Sequence, residues 1–210
     1  MANNKLIEIP KSIWGNVYTV HLEFDNNNIS SISDSVQKAV ALNRLYITNN
    51  SLVNLPDTIF DHLKLYSLYL DGNKLTSIPQ SIFGVNTLRN FKISNNDISN
   101  IPIEIKNMKK LYDIDLRNNT ITSLPTEIES LKNTLKYIYL HNNPICTNGW
   151  LDENKNVKEM IKESGTLESG AAGCKAQCSI YCQDRYIGNN FCGRTCNFKA
   201  CKFDGGDCTQ

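Results

Sequence analysis

The first 145 residues contain no cysteine, and the whole chain of 210 residues has no apolar run approaching the roughly 20 residues a bilayer-spanning helix needs. The start, Met1 to Lys5, has neither a basic segment nor an apolar one of the kind that directs secretion. Excess charge is missing too: 22 basic residues face 21 acidic ones, a formal net of +1, so the overall composition gives no footprint for nucleic acid. Histidine is sparse, with His21, His62 and His141 the only three. No glycine-rich phosphate loop and no nucleophile elbow occurs. These absences speak against an enzyme and leave recognition by shape and local chemistry.

What is abundant is a period. Leucines and isoleucines recur in the frame LxxLxLxxNxLxxLP, with starts at 19, 42, 65, 88, 111 and 135, spaced by 23 residues four times and by 24 once. The LxL core puts both apolar side chains on one side of a short strand, and stacked strands about 4.8 Å apart build a parallel sheet with one continuous buried face. The asparagines Asn27, Asn50, Asn73, Asn96, Asn119 and Asn143 fall where the chain leaves each strand, where their amides can satisfy backbone groups freed by the bend. Pro10, Pro56, Pro79, Pro102 and Pro125 open the return segments, which should be irregular or short-helical and wall off the other side of the core. His21 and His141 then lie five strands apart, roughly 24 Å, too far to share a metal or a catalytic triad.

This frame resembles the leucine-rich-repeat family across residues 4–145, which implies an α/β solenoid: a horseshoe with a parallel inner sheet. Asn4, Leu6, Ile9 and Pro10 match the later part of a repeat, so the frame runs back to position −4 and the expectation is an N-terminally truncated chain whose secretion signal was lost with the missing start. The expected organisation is repeats over 1–145, a capping helix and linker over 146–175, and a small third unit over 176–210. Val157, Met160 and Ile161 carry the helical spacing of the cap.

The third unit holds the cysteines. Of 8 in the chain, Cys146 stands alone and the other 7 lie in the last 37 residues. An even count in a short Gly- and Asn-rich tail reads as a disulfide framework from an oxidising compartment. The triplets opened by Asn28, Asn49 and Asn118 are N-glycosylation acceptors that agree with secretion. The run Cys178-x3-Cys182-x9-Cys192-x3-Cys196-x4-Cys201-x6-Cys208, with Asn197 after the fourth cysteine and the ending Asp204-Gly-Gly-Asp-Cys208, resembles the Notch-type cysteine-rich repeat, the LNR module.

The resemblance implies pairing of Cys178 with Cys201, Cys182 with Cys196 and Cys192 with Cys208, which leaves Cys146 and Cys174 for a bond across the capping helix. It also implies calcium. A unit this small seldom folds on its core alone, and Asp204 and Asp207 around two glycines converge on one point as a hard, oxygen-preferring cation requires. Asn189 is a further ligand by resemblance and Asp184 the candidate for an additional acidic one, although the x9 spacing shifts its register. Gly193 stands where many relatives carry Asp, which implies a weaker site. Zinc between paired cysteines is the rival metal in a cytosolic protein, and it explains neither the carboxylates nor the glycosylation triplets.

The expected function is extracellular recognition of a protein or glycan on the concave sheet, with the LNR unit as an accessory; the alternative is a cytosolic signalling scaffold. Frame positions 3, 5 and 7 alternate with the buried leucines and point outward. They nominate Arg44, Tyr46, Tyr69, Asp71, Lys92, Asp115, Arg117 and Tyr139 as the ligand surface, with adjacent tyrosines at its centre.

Overall fold

The structure is a computed structural model that describes residues 2–163; Cys174, Asp184, Asn189, Asp204 and Asp207, and the six-cysteine run from Cys178 to Cys208, lie outside the described residues.

Six strands, β1 (His21–Glu23), β2 (Arg44–Tyr46), β3 (Ser67–Tyr69), β4 (Asn90–Lys92), β5 (Asp113–Asp115) and β6 (Tyr137–Tyr139), form one parallel sheet in chain order. The register repeats the sequence period: Leu45 faces Leu68, Leu68 faces Phe91, Phe91 faces Ile114 and Ile114 faces Ile138. These residues, and the row Phe24, Ile47, Leu70, Ile93, Leu116 and Leu140 two positions on, are buried in a core that runs the length of the solenoid. At β1, paired on one side, Leu22 is only partly buried. Each added repeat therefore covers the apolar row of its neighbour, which no repeat can do for itself.

The return segments begin at proline for a physical reason. Pro10, Pro79, Pro102 and Pro125 sit extended just before 3-10 turns at Lys11–Gly15, Gln80–Gly84, Ile103–Asn107 and Thr126–Leu131. Each proline's carbonyl accepts the amide of the isoleucine three residues on, at 3.1 Å in all four. Proline lacks an amide that would need a partner there, and its fixed φ suits the entry. Ser33 does the same work before Asp34–Lys38, its side chain accepting from the Ser35 amide. After Pro56 the segment forms turns rather than a 3-10 run.

Beyond β6 come a short turn, Pro144–Cys146, and two helices, α1 (Trp150–Glu153) and α2 (Lys155–Glu163). Val157, Met160 and Ile161 are buried, and α2 packs against the Thr126–Leu131 turn, covering the end of the core. Cys146 lies partly buried against the core, and the other cysteines of the chain lie outside the described residues.

Candidate functional site

Two asparagine ladders hold the sheet's exit edge, and the sequence reading anticipated one. At frame position 9, Asn73 donates to the carbonyls of Ile47 and Leu70, both at 2.9 Å, and accepts the Leu52 amide at 3.0 Å. Asn50, Asn96 and Asn119 repeat the pattern. The second ladder runs through position 8, where Asn26, Asn49, Asn95, Asn118 and Asn142 all have φ between 51° and 58°. Their amides bond one another: Asn49 to Asn26 at 2.9 Å, Asn118 to Asn95 at 2.9 Å and Asn142 to Asn118 at 2.6 Å. Gly72, at φ 67°, interrupts it, because a Cβ there would lie 2.3 Å from Asn49 Oδ1. Only glycine and asparagine take this left-handed conformation readily, so the recurring Asn-Asn doublets, with Gly-Asn once, were the signal that could have revealed it.

Between these ladders and the strand entries lies the outward face of the sheet. A parallel in-register sheet places equal frame positions one strand spacing apart, so identical rings at position 5 must stack. Tyr46 and Tyr69 do, with centroids 4.3 Å apart and planes 8° from parallel, and His21 meets Tyr46 edge-on at 4.8 Å. The column then changes character. Lys92 Nζ lies 6.0 Å from the Tyr69 centroid and 5.7 Å from that of Tyr139, and it reaches Asp113 Oδ2 at 3.0 Å. Arg117 lies 5.4 Å from the Tyr139 centroid and grips Asp115 through Nε, at 2.8 and 2.9 Å, and through Nη2.

Burial shapes the titration here. It pushes the Asp71 carboxyl up, against the opposing effect of the Ser94 hydroxyl at 2.8 Å, and pushes Asp113 up against the neighbouring Lys92 ammonium. Tyr69 and Tyr139 are raised first by burial, and His141 is lowered by burial and by Arg117. Asp113 Oδ1 and His141 Nδ1 are buried without a hydrogen-bond partner.

The structure brings Tyr46, Tyr69, Asp71, Lys92, Arg117 and Tyr139 together on this face, with Arg44 exposed at its edge. Asp115 departs from the expected alternation: it is 1% exposed, because the Arg117 side chain folds back over it, so it orients Arg117 rather than presenting itself to a partner. Among the glycosylation candidates, Asn28 and Asn49 are exposed, whereas the Asn118 amide both donates and accepts within the position-8 ladder. Among the described residues no group of three or more His, Cys, Asp or Glu could hold a metal ion, and no helix is long and apolar enough to cross a membrane.

This parallel sheet with its asparagine-lined exit has the leucine-rich-repeat solenoid fold. Residues 40–98 match the leucine rich repeat family model and residues 173–209 match the LNR domain model, two families whose members are generally binding modules rather than enzymes. LNR domains in general bind calcium. Among solved structures, the chain is similar to the plant peptide hormone receptor RGFR1 in complex with RGF2, with 33% identity over 65% of this chain and 22% of that one and a TM-score of 0.60. It is similar to the ectodomain of the receptor kinase GASSHO1/SCHENGEN3 from Arabidopsis thaliana in complex with CASPARIAN STRIP INTEGRITY FACTOR 2, at 27% identity, 65% and 17% coverage and a TM-score of 0.60. The functional domain of InlJ from Listeria monocytogenes shares the fold, at 20% identity, 67% and 29% coverage and a TM-score of 0.56. The chain thus spans 17 to 29% of the length of these three structures. No curated protein matches it.

Proposed function

We propose that this is a non-catalytic, extracellular recognition protein that takes an extended peptide or protein segment on its concave face, with Tyr46 and Tyr69 as the anchor. The carrying observation is their stack, 4.3 Å apart, with Lys92 on the next strand and Arg117 just beyond the one after it. Rings held this way lose little freedom on binding, and each offers apolar area with a hydroxyl tip. Both plant receptors similar to this chain were solved with a peptide or protein partner, which supports the same class of ligand here.

The LNR unit serves as a calcium-dependent accessory, with Asn189, Asp204 and Asp207 as oxygen ligands and Asp184 as a fourth donor. Its cysteines pair as the LNR resemblance implies, and Cys146 pairs with Cys174 to tie the unit to the cap. The test is binding of wild type, Tyr46→Ala/Tyr69→Ala and Lys106→Ala to one panel of secreted peptides and ectodomains. Loss in the double variant alone supports the reading; full binding by it moves the site elsewhere. The cytosolic-scaffold reading is separated by counting free thiols in the unreduced protein: near zero fits secretion, near eight the cytosol.

A further inference from the structure

The chain is nearly neutral, yet one flank of the solenoid is not. The segments feeding the strands, residues 16–20, 39–43, 62–66, 85–89, 108–112 and 132–136, contain Lys64, Arg89, Lys109, Lys110, Lys132 and Lys136 and not one Asp or Glu. All six cations are exposed. The ion pairs among the described residues are Lys92 with Asp113, Arg117 with Asp115 and Lys158 with Asp152, so none of the six is compensated by one. Lys132 shares a groove with Glu129 and Glu159 and is the least free; the other five stand clear of it.

Frame position 2 orders this flank further. From β3 to β6 it reads Tyr66, Arg89, Tyr112, Lys136, an alternation of ring and cation at successive strands, about 4.8 Å apart. Tyr66 and Tyr112 are 37% and 41% exposed, so each offers part of its ring to solvent. The Arg89 guanidinium lies 5.7 Å from the Tyr66 centroid, and Tyr112 meets Tyr137 edge-on at 5.4 Å, so the rings are braced rather than loose.

We propose that this strand-entry flank binds an anionic polysaccharide, independently of the concave face. Flat C–H faces of sugar rings settle on Tyr66 and Tyr112, while carboxylate or sulfate groups on the intervening sugars meet Arg89, Lys110 and Lys136. An acidic peptide fits less well. It offers no ring for the exposed tyrosines, and its same-face side chains recur every ~6.6 Å, whereas like residues here recur at two strand spacings, ~9.6 Å. Uncompensated cations along one edge also focus a field that draws a polyanion in and weakens as salt rises.

The experiment uses the full chain on immobilised heparin, eluted with sodium chloride. Wild type is retained. Arg89→Glu/Lys136→Glu runs through, Tyr66→Ala/Tyr112→Ala elutes early, and Lys38→Glu/Lys106→Glu, which changes net charge equally on the convex turns, elutes with wild type. Circular dichroism confirms folding, and Arg89→Gln/Lys136→Gln replaces the reversal if that variant unfolds. The proposal is overturned if wild type is not retained, if the convex control elutes as early as the flank variant, or if polyglutamate of matched charge displaces wild type better than free heparin does, which would assign the flank to an acidic peptide.

Discussion

Replacing Asn73 by Ala removes one side chain that serves four backbone groups, of which the Asp71 carbonyl keeps the Asn49 amide at 2.8 Å. The Leu70 carbonyl keeps a second donor, the Asn96 amide at 3.0 Å. The Leu52 amide and the Ile47 carbonyl have Asn73 as their hydrogen-bond partner in the sheet exit, at 3.0 and 2.9 Å, and both residues are fully buried. A buried polar group left without a partner costs about 1–3 kcal/mol, so two of them give about 2–5 kcal/mol once some local relaxation is allowed. For a chain of this size, each kcal/mol moves the melting midpoint by about 2–4 °C, and the expected drop is about 5–15 °C by circular dichroism. Asn73→Asp sharpens the test. It keeps the acceptor for Leu52 but turns a carboxylate oxygen toward two carbonyls, so at neutral pH it should be at least as damaging as Ala. A carboxyl held there has its folded-state pKa raised; its protonated form is favoured by folding, and the loss should shrink on acidification as the acid regains a donor. An unchanged midpoint for Asn73→Ala, or an Asp variant as stable as wild type at neutral pH, refutes the account of the ladder.

Gly72→Ala should destabilise by about 1–2 kcal/mol, since a left-handed φ is strained for alanine and its Cβ would meet Asn49 Oδ1. Gly72→Asn should stay close to wild type in urea unfolding, because Asn49 can rotate and the five other repeats already carry Asn at that φ. Asp71→Asn should raise stability at neutral pH: burial raises the folded-state pKa of Asp71, so its contribution is fully present below the unfolded value and lost as pH rises through the folded one. The gain, read as a difference in midpoints, should vanish in acid, and a gain independent of pH would contradict that origin. Chelating calcium should loosen residues 178–208 in amide exchange and leave the repeats protected; equal protection of that tail with and without chelator would remove the metal from the proposal.

The repeat frame was legible because the same constraint is written six times, so a single residue's ambiguity is averaged away. The 23-residue spacings and the final 24 reappear as strand pairings, from His21 with Arg44 to Asp113 with Tyr137. The adjacency of Tyr46 and Tyr69 followed from the same arithmetic. Other features depend on which way a side chain folds back, and period does not encode that. Asp115 sits at an outward position yet is buried, because Arg117, two residues on, closes over it. The position-8 ladder went unread for a different reason. Asparagine at position 9 works through its side chain and at position 8 through its backbone conformation as well, and a doublet of one residue type hides two separate demands.

Those two demands bear on recognition. The position-9 amides lock each strand's exit to the preceding repeat, and the position-8 residues fix the direction in which the chain leaves. Together they hold a strand of only three residues in register at its exit. The position-5 side chains therefore project from a backbone that has little freedom to adjust. Stacking of Tyr46 on Tyr69 is then a property of the free protein rather than of a complex, and a partner meets rings whose ordering has already been supplied by folding. The buried, forked Asp115 does the same for Arg117, holding the partly exposed guanidinium beside Tyr139. A face built this way discriminates by shape and by fixed hydrogen-bond directions, which suits an extended segment lying across several strands better than a small molecule enclosed in a cavity.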